Sequence, residues 1–450
     1  MAEVHGFSPE GEVSPGAMIA LSNYSLGVSP KQYGITGDGT TDDTAAWNTM
    51  IGSLPAGSEI VCPPGDTYVL TGPVTIDKPI TIKGGSWIAP GTGAGLMVTS
   101  SDVTIDGARI SSDTSPFTTS QRLIYALGTA LDPLERVRVR DVTVEGSRYI
   151  AIELSWVKDF EVSGCNISNY QYAGVMVISG KSGVVRGCNI RDALMESGGN
   201  SYGIAITDLT NDEAGRSEDI VVDSNYVINV PWEGMDTHGG RRIRFVNNTV
   251  ENCTVGIALV SGNSSRIVAI EDCVVANNTV AYGVGGAVGG TAVKLHGGRG
   301  NTMTPGTAVA TGNTVTGFNQ TFQMWNMDRT RSNVVGNNRA EVEWTLLPLR
   351  DPVWSPGPEP LEYKVDNNEI SFRGTPLKNN TTSGTSNAIG VLPEELWPTQ
   401  DRYLNYTWAY TGNNAAVFRY TWNGVLQVLF ESDRESTGGY FPIVATVSLL

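Results

Sequence analysis

The chain has three histidines in 450 residues, and two of them, His238 and His296, each open a His-Gly-Gly corner after a short alternating segment. Two residues ahead of each stands another ionisable group, Asp236 before His238 and Lys294 before His296. Residues i and i+2 of a strand share a face, so each pair should project side by side. Ala258 holds the matching position between them and leaves room for a sugar ring. Carboxylate, imidazole and amine on one surface suit proton transfer at a polysaccharide. Hydrolysis requires an acid and a carboxylate flanking the glycosidic bond; β-elimination from a uronate requires a base, such as Lys294 or His238, and a group that neutralises the uronate carboxylate. Asp208 and Glu233 lie close in sequence, so the candidate catalytic set is Asp208, Glu233, Asp236, His238, Lys294 and His296. Trp156, Tyr202, Trp232, Trp325 and Glu153 are candidate substrate contacts. Polar positions are also normal on an exposed strand face, and a His before Gly-Gly can simply bond to corner carbonyls. No metal-ligand spacing or calcium loop accompanies these residues, so neither metal nor cofactor is expected.

The rest of the chain must place these groups. Glycine at 53 residues, with charged residues at only 17%, indicates many short strands and turns. Gly and Pro total 75 of 450, about 17%, short of the roughly 25–30% of low-complexity chains, so the chain should fold. A net charge of −16 and no basic block argue against nucleic-acid binding. The longest apolar stretch near the start, Ala17 to Leu21, is too short for a secretion signal or a membrane span. Five cysteines form no disulfide framework.

Asparagine marks a distinct middle region, with 20 of 31 occurrences between residues 151 and 350. A short pattern recurs there: VSGCNI from Val162, VRGCNI from Val185, FVNNTV from Phe245, IEDCVV from Ile270 and ATGNTV from Ala310, with looser copies at Ile105, Val139, Val222 and Val334. Five of the eight separations fall at 23 to 25 residues and three are longer, as expected of a repeated unit with loop insertions. A second alternating segment follows each anchor. Aligned on Ile150, Val175, Ile204, Met235, Ile257, Val293 and Phe322, these segments predict two outward columns. One reads Ala151, Met176, Ala205, Asp236, Ala258, Lys294, Gln323; the other reads Glu153, Ile178, Thr207, His238, Val260, His296, Trp325. Several strands per turn of about 23 residues describe a parallel β-helix. Cys165, Cys188 and Cys273 each take the fourth anchor position, which predicts a buried thiol ladder, although a Cys165–Cys188 bridge between adjacent coils is conceivable.

Ahead of the repeats, TTDDTAAWNTMIGSLPAG is a helix candidate with Thr41, Asp42 or Asp43 as its cap and Pro55 and Gly57 as its end. The stretch YGITGDGTTDDTAAW, Tyr33 to Trp47, resembles the entry segment of the pectate-lyase-like β-helix superfamily, and VCPPGDTYVL resembles its first strand. The resemblance implies an all-β, right-handed parallel β-helix over residues 31–344 with an N-terminal capping helix. That superfamily holds lyases, hydrolases, epimerases and non-enzymatic viral spikes. Glu233-Gly234-Met235-Asp236 looks like the first acidic motif of the polygalacturonases, but GIALVSG in the next coil lacks their Asp-Asp pair.

Five prolines between Pro348 and Pro360 mark a linker, residues 345–361. Residues 362–450, with an Arg-Gly pair and an Asn423-Gly424 hairpin signal, resemble the C-terminal β-sandwich of phage minor tail proteins. By the same resemblance residues 1–30 form an arm that joins tail or baseplate proteins. The whole implies a homotrimeric phage tailspike, part of the virion and made in the host cytoplasm without a signal peptide, which touches neither nucleic acid nor membrane. Its expected partner is a bacterial surface polysaccharide, either cleaved or only gripped; a free bacterial lyase or hydrolase is the alternative.

Overall fold

A computed structural model describes residues 27–341 apart from 92, 94, 196–199, 209–214, 262–267, 284–288, 298–304, 326, 329–332 and 335–337, and beyond 341 a series of strand segments ending at 448. The expected arm lies outside the described residues up to position 26. From Ser58 to Glu341 the chain coils through three parallel sheets. In each full coil a strand of the first sheet leads into one of the second and then one of the third, as in Arg138–Arg140, Thr143–Ser147 and Ile150–Ser155. The sheets hold 13, 12 and 10 strands respectively.

Like residues stack on like. In the first sheet Val162, Val185, Val222, Phe245, Val275 and Ala310 are successive partners, each fully buried. In the second, Ile167, Ile190, Val227, Val250, Val280 and Val315 do the same. One apolar core therefore runs along the axis. Because strand side chains alternate with period two, the same sequence that fills the interior sends its polar residues outward.

The corner between the first and second sheets corrects two expectations. Cys273 pairs with Ala308 within the first sheet and is not in the column of Cys165 and Cys188. The anchor of that coil is Val275, five residues after Ile270, because insertions before it displaced the sequence alignment. The true column continues from Cys165 and Cys188 into Asn225, Asn248, Asn278, Asn313 and Asn338. Each of these asparagines accepts the backbone N–H of the residue one coil earlier, as in Asn225 N to Asn248 Oδ1 at 2.9 Å. All five cysteines are free thiols. From Cys165 to Asn313 the residue just before each ladder position takes the left-handed conformation, with φ of 64° at Gly164, 57° at Asn247 and 56° at Asn277. The two adjacent asparagines of VNNTV thus do different work, the first bending the backbone and the second bonding between coils.

The expected helix forms over Thr44–Ser53, with Asp43 at its N-cap position. The acidic entry motif is structural. Asp43 accepts bonds from the backbone N–H groups of Thr36 and Gly37, Asp38 from those of Thr40 and Thr41, and Asp42 from the hydroxyls of Thr44 and Thr71. Trp47 of the helix meets Tyr68 and Trp87 at ring separations of 5.1 and 4.6 Å, closing the first end of the core with aromatic surface. A network of ion pairs lies on the outer face of the first sheet, where Glu161 accepts bonds from Arg140 and Arg186, and Glu218 from Arg241, while Lys181 lies 2.8 Å from Glu218.

Beyond Glu341 the described pairings become antiparallel. Thr345–Leu346, at the start of the proline-rich segment, pairs with Glu362–Asp366, which pairs with Glu369–Gly374. Ala416–Tyr420 and Val425–Phe430 pair as the arms of the expected hairpin; Asn423 and Gly424 themselves lie outside the described residues.

Candidate functional site

The third sheet carries the candidate groups, and its register shows three outward columns where alternation indicated two. The additional column reads Arg122, Ile150, Ala173, Tyr202, Glu233, Val255 and Thr291. Glu233 and Asp236 are three residues apart yet both point outward, because the chain turns its corner at Gly234. A Cβ on that glycine would meet Val250 Cγ1 at 2.5 Å and Gly256 O at 2.8 Å. This corner breaks the two-residue period that the sequence alignment assumed. It also shifts one coil: Ile152, not Ile150, pairs with Val175, so Glu153 stands in the Asp236 column and Ser155 takes its place in the His238 column. Ala151 leaves the outward columns and is fully buried.

Glu233, Asp236 and His238 converge, with one oxygen or nitrogen atom of each within 4.8 Å of the others. His238 Nε2 lies 2.7 Å from Asp236 Oδ2. Asp236 is 0% exposed and Glu233 4%, whereas the His238 side chain keeps 25% of its surface in solvent. Ala205 and Ala258 flank Asp236 in its column, so nothing large separates the three. Burial pushes the Glu233 carboxyl up to about 7, the Asp236 charge adds to this, and His238, Lys294 and a hydrogen bond from the Trp232 side chain oppose it. Burial also raises Asp236, opposed by His238 beside it. Glu233 thus holds a proton near neutrality, as a general acid must. The three groups are also close enough to ligate one cation, a capacity their spacing in sequence does not display.

The raised carboxyl has a stability signature. The folded chain binds a proton at Glu233 between its ordinary pKa near 4.5 and about 7, so stability falls as pH rises through that window. Glu233→Gln should raise the melting temperature relative to wild type at pH 8 and not at pH 4, measured by thermal denaturation across pH; an equal shift at both values would exclude a buried, proton-linked carboxyl.

Of the other candidates, Lys294 stands two coils beyond Asp236 in the same column with Ala258 between, and His296 stands two coils beyond His238 with Val260 between. Lys294 still acts on Glu233 electrostatically, while His296 is not within the 4.8 Å cluster. Asp208 is buried just past the end of its strand, Tyr202–Thr207, and likewise stays outside the cluster. Glu153 is three coils away, bound by Arg122 Nε at 2.5 Å and Ser155 Oγ at 3.0 Å. Tyr202 joins the site, its ring centroid 6.4 Å from that of His238. Trp232 packs beside Tyr202 in a small apolar patch on the outer face. Trp156 occupies a left-handed corner past its strand, with φ of 52°. Trp325 pairs with His296 through its backbone, and its side chain lies outside the described residues.

The sequence reading missed an aromatic row leading to the cluster. Tyr149 stacks on Tyr172 at 4.8 Å and 18°, Tyr172 meets Tyr202 edge-on at 5.4 Å, Phe117 meets Tyr149 at 5.9 Å, and Arg122 lies over Tyr149 at 5.5 Å. A signal existed, since Tyr149, Tyr172 and Trp232 immediately precede Ile150, Ala173 and Glu233, the members of the additional column in their coils.

Residues 88–280 match the family model described as a right handed beta helix region, and the molecule is an all-β protein built on a right-handed parallel β-helix. Among solved structures it is similar to the Dettilon tailspike protein gp208, with 17% identity, 99% of this chain and 97% of that one covered, and a TM-score of 0.48. It is similar also to the enzymatically active domain of bacteriophage CBA120 tailspike protein 2, at 9% identity, 93% and 70% coverage and a TM-score of 0.48. A third is the catalytic unit of a GH87 alpha-1,3-glucanase from Streptomyces thermodiastaticus strain HF3-3, at 16% identity, 70% and 69% coverage and a TM-score of 0.46. No curated protein matches the sequence.

Proposed function

We propose that the chain is a phage tailspike that binds a bacterial surface polysaccharide and cleaves it by β-elimination at a uronate residue. The observation that carries the reaction is the placement of Glu233, a carboxyl protonated near neutral pH, within 4.8 Å of His238, whose Nε2 is held by buried Asp236. Asp236 fixes the proton on Nε2 and places the basic lone pair on Nδ1. Acid and base then serve one face of one sugar. His238 takes the proton from the carbon next to the uronate carboxylate, the bond to the leaving glycosidic oxygen breaks, and Glu233 gives its proton to that oxygen. A carbon–carbon double bond remains in the sugar on the non-leaving side. Lys294, from two coils away, supplies positive charge for the uronate carboxylate.

Hydrolysis fits the same groups less well. An inverting pair stands roughly 6.5–9.5 Å apart to admit a water, and a retaining nucleophile must touch the sugar, whereas Asp236 has no exposed surface. The viral role rests on the resemblance of residues 362–450 to the C-terminal domain of phage minor tail proteins. In this reading residues 1–30 attach to tail or baseplate proteins, residues 362–450 form a β-sandwich, and three chains assemble. Incubation with uronate-containing surface polysaccharides should produce absorbance near the ultraviolet maximum of an unsaturated uronate. New reducing ends without that absorbance would replace elimination by hydrolysis, and neither signal with binding preserved would leave an adhesive spike.

A further inference from the structure

The outer face of the second sheet carries two adjoining depressions that the cleavage chemistry does not use. One, about 600 Å³, is lined by Ser112 to Ser115, Glu145, Asn169 and Leu194; its neighbour, about 340 Å³, is lined by Arg109, Asn166, Asn189 and Arg191 among others, and Glu145 borders both. Stacking of Thr143, Asn166 and Asn189 gives the groove a floor of short polar side chains across successive coils, beside the column of Glu145, Ser168 and Arg191.

Its chemistry is that of hydroxyl recognition. The amides of Asn166 and Asn189 and the hydroxyls of Thr143 and Ser168 line it side by side, groups that both donate to and accept from sugar hydroxyls. The charges along the groove are already matched: Arg109 lies 2.8 Å from Glu145, Arg191 2.9 Å from Asp192, and Arg148 3.0 Å from Asp113. No unbalanced positive charge waits for an anion. Leu194, 39% exposed, gives an apolar flank for the carbon face of a sugar. Glu145 and Asp113 are open to solvent and tied to arginines, so the groove lacks the buried, protonated carboxyl that cleavage needs.

We propose that this groove is a second saccharide-binding site, which holds neutral sugar residues of the polymer without cleaving them. It rests on the reading of the ligand as a polysaccharide. Holding the polymer at a second place on the same chain raises the effective concentration of its uronate residues at Glu233 and His238.

The test uses the full chain and an array of bacterial capsule and O-antigen oligosaccharides, neutral and uronate-containing, of several lengths. Asn166→Ala with Asn189→Ala should lower binding to long glycans and to neutral ones at least tenfold, with wild-type melting temperature and unchanged turnover of a short uronate oligosaccharide. Leu194→Ala, at an exposed position, should weaken binding in the same direction. Binding equal to wild type in both variants, loss confined to uronate glycans, or no binding of wild type to any neutral glycan would overturn the second site. Wild type that binds through the groove but never cleaves would instead overturn the elimination reading and leave the groove standing.

Discussion

His238→Ala is expected to lower kcat on the cleaved polysaccharide by about 10²–10⁴-fold, the range for losing a positioned general base, with little change in KM. The imidazole is the part of the cluster that keeps a quarter of its side-chain surface in solvent, while Asp236 beneath it has none. Substrate therefore meets His238 and the edge of Glu233, and Asp236 acts through His238 by holding Nε2 at 2.7 Å. Asp236→Asn should accordingly reduce kcat and spare KM, since the substitution keeps the volume of a side chain that the sugar never touches. Initial rates from the unsaturated product, with glycan binding measured separately, check both variants. A variant that raises KM at constant kcat would show that the cluster only binds.

The second large effect is on stability. Asn248 sits in the middle of the ladder. Its Oδ1 accepts from Asn225 N and Asn225 Nδ2 at 2.9 and 3.0 Å, and its Nδ2 donates to Val222 O and Asn278 Oδ1 at 2.9 and 3.0 Å. Asn248→Ala removes all four bonds and leaves the buried Asn225 N–H without its acceptor, while Asn225 Nδ2 keeps Val185 O and Asn278 Oδ1 keeps the Asn248 N–H. At roughly 1–3 kcal/mol for the unsatisfied donor and about 1 kcal/mol for each other bond lost, partly relieved by local adjustment, the expected loss is about 3–5 kcal/mol in denaturant unfolding. The adjacent Asn247→Ala should cost only about 1 kcal/mol: Asn247 is exposed with φ of 57°, and the price is that of a left-handed non-glycine residue. Equal losses at the two positions would mean that corner geometry, not the side-chain ladder, ties the coils together.

These neighbouring asparagines show how far the sequence could be read. The repeat near 23 residues, the stacked valines and isoleucines, the capping helix and the side-by-side projection of Asp236 and His238 are all local or periodic, and each was legible. Asparagine enrichment was legible too, but as a corner residue alone. That Asn225 bonds to Asn248 across 23 residues depends on the register of two coils. Register also decided the fate of Cys273 and Glu153. Insertions before Val275 moved one out of the thiol column, and the corner at the start of the strand moved the other into the Asp236 column.

The site divides in the same way. The sequence by itself determined that Asp236 and His238 share a face and that Lys294 and His296 repeat the pattern two coils on, because strand alternation requires only the order of residues. The tertiary structure alone decided that Glu233 joins them, that Tyr149 and Tyr172 line the approach through Tyr202, and that Asp208 and His296 stay outside. Those outcomes depend on a chain turn at Gly234 and on which side chains the adjacent coils lay over one another. Burial follows from that stacking, and burial is what holds a proton on Glu233 near neutral pH.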